Sequence, residues 1–128
     1  MGRDYKRIRA WQLSDELAFS IYKTTKHFPK EEMWGLTSQM RRSAISVPAN
    51  IVEGSVRNHK KEYVQFLYTA LGSLAELGYY VDFSSRIGYL NDTELKDLSG
   101  LHEQTSKTLR ALINYIEKSK VQSQGSMV

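Results

Sequence analysis

The stretch Tyr63-Val64-Gln65-Phe66-Leu67-Tyr68-Thr69-Ala70-Leu71-Gly72-Ser73-Leu74-Ala75-Glu76-Leu77-Gly78-Tyr79-Tyr80-Val81-Asp82-Phe83-Ser84 decides the fold. Apolar or small residues recur at Tyr63, Leu67, Ala70, Leu74, Leu77, Val81 and Ser84, in steps of four and three that alternate without a break. That is a heptad seam, so a long helix over residues 59–88 is expected to bury one face against other helices. Sustained strand-type alternation is absent from the chain.

Three further segments carry the same signature. Leu13, Leu17, Ile21 and Thr25 recur every fourth residue in a first helix over 10–27, which Phe28-Pro29 closes because the residue before a proline is pushed out of helical geometry. Leu36, Met40, Ala44, Val47 and Ile51 mark a second helix over 33–57. Leu95, Leu98, His102, Thr105, Leu109, Leu112 and Ile116 mark a fourth over 92–118, opened by Asn91 with Glu94 three residues on, a capping-box pattern. Short connections make sequential helices antiparallel neighbours, so the expected fold is an all-α, up-down-up-down four-helix bundle with a flexible tail over 119–128.

The 128 residues suit one domain, 1–128, and bury enough surface without a metal or disulfide staple. The absence of cysteine excludes disulfides, thiol catalysis and thiolate metal sites. The N-terminal Arg3, Lys6, Arg7 and Arg9 precede no apolar run of secretory type, and Lys6 stands where myristoylation wants Ser or Thr. The stretch from Tyr63 to Val81 holds too many polar groups for a lipid-facing span. A soluble, cytoplasmic protein with no membrane partner is expected. Eighteen Lys and Arg against fourteen Asp and Glu leave a net charge of +4, which permits an anionic partner without requiring one.

The third helix also speaks about partners. At 100° per residue, the side opposite its seam collects Lys61, Gln65, Tyr68, Gly72, Ala75, Glu76, Tyr79 and Phe83. Tyrosines, a phenylalanine and small residues suit a solvated face poorly, and Gly72 costs about 1 kcal/mol in a helix relative to alanine. Close approach of another helix would offset that cost, with Gly72, Ala75 and Gly78 leaving room for its backbone. Tyr68, Gly72, Ala75, Tyr79 and Phe83 are therefore the expected interface of a homo-oligomer. The competing reading is a tilted bundle that buries more of this helix internally.

The second helix reads Gln39-Met40-Arg41-Arg42-Ser43-Ala44-Ile45-Ser46-Val47-Pro48-Ala49-Asn50-Ile51-Val52-Glu53-Gly54. Pro48 removes a backbone hydrogen bond and is expected to kink it. Ser46 lies four residues before Asn50 and Glu53 four before Arg57, which supplies local polar partners.

This run, with Phe28-Pro29, Glu32 and Gly35-Leu36 ahead of it, resembles the "four helix bundle protein" family, also called the 23S ribosomal RNA intervening-sequence protein family. Gly72-Ser73-Leu74-Ala75-Glu76-Leu77 is similar to its second motif and Trp11 to an aromatic near its start. The resemblance spans Trp11 to Ile116, with Trp34 where tyrosine and Val52 where alanine are common. It gives Pro48, Asn50, Glu53, Gly54 and Glu76 the standing of structural motif residues. It implies a four-helix up-down bundle that assembles as a ring-shaped homopentamer. A similar fold serves as the accessory protein of diversity-generating retroelements, where a basic pentamer engages nucleic acid and a reverse transcriptase.

Catalysis has little support. His27, His59 and His102 lie on three segments, and neither a Glu-x-x-His pair nor a phosphate loop nor a nucleophile elbow occurs. No catalytic residue, cofactor or metal site is expected. Glu53 and Glu76 are expected to pair with an arginine such as Arg42. Nucleic-acid binding has more support, since basic residues cluster at Arg3, Lys6, Arg7 and Arg9, at Arg41 and Arg42, and at Arg57, His59, Lys60 and Lys61. Tyr5 and Trp11 beside the first cluster suit unpaired bases. The same charges read equally well as solvated faces, with Arg41 and Arg42 satisfying carboxylates at the kink. The first expectation is a non-enzymatic oligomer that binds RNA or other nucleic acid without sequence readout. The alternative is a scaffold or adaptor with a protein partner, and a distant third is an enzyme with a site at a subunit junction.

Overall fold

A computed structural model of the protein describes residues 3–119. Met1–Gly2 and 120–128, which hold nearly all of the expected flexible tail, lie outside the described residues. Four helices carry the chain: α1 (Arg9–Thr25), α2 (Leu36–Ser55), α3 (Lys60–Arg86) and α4 (Asp92–Glu117), with 3-10 turns at Tyr5–Arg7 and Lys30–Glu32. No strand occurs among the described residues, and the fold is an all-α four-helix bundle.

Each helix packs chiefly on two neighbours, in the cyclic order α1, α2, α3, α4 and back to α1. Side-chain bonds fix the directions. His27, just past α1, meets Glu94 at the start of α4 at 2.7 Å. Tyr68 in the first half of α3 donates to Glu117 at the end of α4. Arg41 early in α2 reaches back to Tyr22 and Thr25 at the end of α1. Neighbouring helices are thus antiparallel.

The seams meet in one core. Leu13, Leu17, Ile21 and Thr25 of α1 and all seven seam residues of α3 are buried. Met40, Ala44, Val47 and Ile51 of α2 are buried too, with Leu36 half-buried against them. In α4 the buried set is Leu98, Thr105, Leu109, Ile113 and Ile116, so Ile113 takes the place expected for Leu112, which packs at the margin. The polar seam residues are satisfied locally: Thr25 donates to the Ile21 carbonyl at 2.7 Å and Thr105 to the Leu101 carbonyl at 2.7 Å.

Helix boundaries differ from the expected ones by up to three residues. α2 begins at Leu36 rather than at 33 because Lys30–Glu32 forms a separate turn. The Glu32 carboxylate then accepts the first α2 amide, that of Leu36, at 3.1 Å, doing the work of an N-cap from four residues upstream. The capping box of α4 forms as expected, with Glu94 N–H to Asn91 Oδ1 at 2.7 Å and Asn91 N–H to Glu94 Oε1 at 3.0 Å. Pro48 is buried, and α2 continues through it to Ser55.

Gly54 sets the closest approach of α2 and α3. A Cβ there would stand 2.8 Å from Phe66 Cβ and 3.3 Å from the Tyr63 carbonyl oxygen, so no larger residue fits. Further along the same pair, Asn50 Nδ2 donates to the Ser46 carbonyl at 2.8 Å and lies 3.0 Å from the Ser46 hydroxyl, which pairs with Ser73 of α3 at 2.9 Å. The Asn50 and Gly54 motif positions therefore join α2 to α3.

Candidate functional site

The antiparallel topology brings the start of α1, the end of α2, the start of α3 and the end of α4 to one end of the bundle. Arg3, Lys6, Arg7 and Arg9 precede or open α1, and Arg57, His59, Lys60 and Lys61 span the α2–α3 junction. The first and third basic clusters, more than forty residues apart in sequence, therefore share this end. Arg41 and Arg42 do not join them, because they lie in the first half of α2 toward the opposite end.

Several of these cations are committed inside the fold. Neither α2 nor α4 has a basic residue in its last turn, where the helix dipole favours one. Cations from elsewhere fill the role. Arg3 Nη1 donates to the carbonyls of Ser55 (3.3 Å) and Arg57 (3.0 Å) at the end of α2, with its guanidinium 4.1 Å above the Tyr63 ring. Lys60 Nζ lies 3.5 Å from the Glu117 carbonyl and 3.3 Å from that of Ser119 at the end of α4. Arg41 serves α1: its Nε donates to Thr25 Oγ1 at 2.9 Å and its Nη2 to the Tyr22 carbonyl at 3.3 Å. Lone orphan carbonyls at helix ends are thus met by long-range side chains.

Arg57 pairs with Glu53 at 2.9 Å and stacks 4.7 Å over Phe66, while its Nε finds no acceptor among the described residues. Arg9 donates to Gln12 and Arg42 to Gln39. Lys6, Arg7 and Lys61 are exposed and make no ion pair among the described residues. Of the nine candidate cations, these three are the ones that the fold leaves uncommitted. The expected aromatic platform is also engaged: Tyr5 and Trp11 meet edge to face at 4.9 Å, and Trp11 packs against the core.

The expected pairing of Arg42 with Glu53 or Glu76 is not found. Glu53 is taken by Arg57 one turn on, and Glu76 accepts from Tyr80 at 2.8 Å, which raises the Tyr80 phenol pKa. Arg42 finds Gln39 nearer along its own helix.

On the outer face of α3, Tyr68 and Tyr79 are 48% and 58% exposed, Ala75 is exposed, and nothing lies within 4 Å of a Cβ placed on Gly72. Burial and the neighbouring Glu117 carboxylate raise the Tyr68 pKa. Phe83 is half-buried beside Tyr79. Gly78 does not leave room for an outside helix, because the His102 ring fills its space: a Cβ would stand 2.8 Å from Nε2.

A second apolar face went unread in the sequence. Ala18, Phe19 and Tyr22 of α1 and Ile45 of α2 line an open groove of about 520 Å³, edged by Asp15, Lys23 and Lys26. Phe19 is 64% exposed and Ile45 49%. The available signal was Phe19 and Tyr22 standing off the Leu13-Leu17-Ile21 stripe.

The chain is similar to the crystal structure of a protein of unknown function from the S23 ribosomal protein family of Bacteroides thetaiotaomicron. The TM-score is 0.75 at 21% identity, covering 82% of this chain and 95% of that one, a likeness of fold. No curated protein matches the chain. A profile of the 23S rRNA-intervening sequence proteins matches residues 6–111, and the chain therefore belongs to that family.

Proposed function

We propose that the protein is a non-enzymatic, self-associating bundle that binds RNA or other single-stranded nucleic acid through the basic end of each copy, in the cytoplasm. The observation that carries this reading is the convergence of the N-terminal and α2–α3 basic clusters on one end, with Lys6, Arg7 and Lys61 exposed and uncommitted. Phosphate contacts need mobile, solvated cations of this kind and no shaped pocket. Base-specific readout is not part of the proposal, since the aromatic pair beside the cluster is packed rather than presented.

Self-association is supported by the exposed Tyr68–Gly72–Ala75–Tyr79 face and by the absence of any neighbour against Gly72. A pentameric ring, which the family resemblance implies, would repeat a +4 protomer five times and so strengthen attraction for a polyanion. A scaffold that binds protein is the second reading, favoured by the commitment of Arg3, Arg41 and Lys60 to helix ends.

Titration of a structured RNA at several salt concentrations tests the proposal. Binding with a log–log salt slope of about −0.7 to −0.9 per neutralised phosphate is expected. Lys6→Glu, Arg7→Glu and Lys61→Glu should each weaken binding and leave assembly unchanged. Absence of binding at low salt overturns the nucleic-acid reading and leaves the scaffold.

A further inference from the structure

We infer that copies of the chain join head to tail, the outer face of α3 on one copy docking into the α1–α2 groove of the next. This rests on the self-association proposed above and adds which surface meets which. The two faces are unlike and fit each other. Phe19 projects from α1 as an exposed knob. On α3, Gly72 and Ala75 form a floor free of large side chains, framed by the Tyr68 and Tyr79 rings one turn away on either side. Tyr68, Leu71, Gly72 and Ala75, at positions i, i+3, i+4 and i+7, outline a hole of the kind that receives one knob.

Charge and direction agree with this fit. Lys23 on the groove edge makes no ion pair among the described residues, and it lies four residues after Phe19. Glu76 lies four residues after Gly72, so parallel helices with Phe19 over Gly72 bring Lys23 level with Glu76. α1 and α3 already run in the same direction within one bundle. Copies related by rotation about an axis along the bundle would therefore present these two helices to each other in parallel. A two-fold contact of α3 on α3 is less favourable. Centred between Gly72 and Ala75, it sets each Glu76 level with Leu71 of the other copy rather than with a cation, and it leaves the Phe19–Ile45 groove uncovered.

Light scattering on the full chain and two surface variants tests the inference, with circular dichroism confirming that each variant is folded. Phe19→Asp spoils the groove and Ala75→Arg spoils the α3 face; both positions are exposed. Head-to-tail docking predicts that the wild type assembles, that each variant alone has the mass of one chain, and that an equimolar mixture forms a 1:1 dimer. The mixture retains one intact face and one intact groove, which make one contact and no more. A monomeric wild type overturns the self-association reading itself. An assembled wild type with Phe19→Asp unaffected overturns the groove while sparing self-association, and so does a mixture that stays monomeric.

Discussion

Gly78 of α3 and His102 of α4 share one space: a Cβ on Gly78 would stand 2.8 Å from His102 Nε2. The ring is held there because Nε2 donates to the Leu74 carbonyl at 2.7 Å. Gly78→Ala gains about 1 kcal/mol of helix propensity and loses the seat of the ring. Overpacking costs about 1–3 kcal/mol, so a net destabilisation is expected by urea denaturation. Adding His102→Ala should cost less than its effect in the wild type, because the clash is gone. Strict additivity in that double-mutant cycle would show that the ring moves aside freely.

Gly54 and Gly72 are expected to respond in opposite senses to alanine. At Gly54 the new methyl meets Phe66 Cβ at 2.8 Å and the Tyr63 carbonyl at 3.3 Å, atoms held by the backbone of α3, so a loss of about 2 kcal/mol or more is expected. At Gly72 it meets nothing, and the folded chain gains about 0.5–1 kcal/mol. Denaturant midpoints of the two variants, measured at one protein concentration, check both signs.

The cations divide into two groups with separable phenotypes. Arg41→Ala removes two hydrogen bonds that close the end of α1 and should lower stability by about 1–2 kcal/mol without altering the salt slope of RNA binding. Arg7→Ala should leave stability within about 0.5 kcal/mol and reduce that slope by about one phosphate. A reversed pattern would place the binding surface on the α1–α2 side of the opposite end.

Acid should loosen the start of α4. The Asn91 amide, and then His27, hold the Glu94 carboxyl below its ordinary value. A carboxyl lowered in the folded state contributes stability that is fully present above its unfolded value, about 4.3, and is lost as the pH falls through its lowered folded value. Denaturation at a series of acid pH values is expected to show a steeper loss for the wild type than for Glu94→Gln, which has no charge to lose. Parallel curves would remove the carboxylate from the account. Asn91→Ala should cost about 1 kcal/mol at neutral pH, the usual value of an N-cap side chain.

Periodicity made most of the bundle legible. All seven seam residues of α3 and the four of α1 are buried as their spacing requires, and Asn91-x-x-Glu94 caps α4 as its pattern requires. Boundaries were less legible at α2, where the 3-10 turn at Lys30–Glu32 and the reach of Glu32 to Leu36 depend on how the chain leaves α1. The basic residues were visible as clusters, but their roles were not. Nothing local to Arg3 announces the end of α2, fifty-two residues away.

The sequence by itself determined four amphipathic helices, their order and the face each one buries, because a 3.6-residue period encodes burial within a single helix. Only the tertiary structure decided which cations close helix ends and which stay free, and that His102 rather than a second chain fills the space beside Gly78. Those outcomes turn on distances between residues far apart in the chain, and such distances exist only once antiparallel packing has brought the helix ends together.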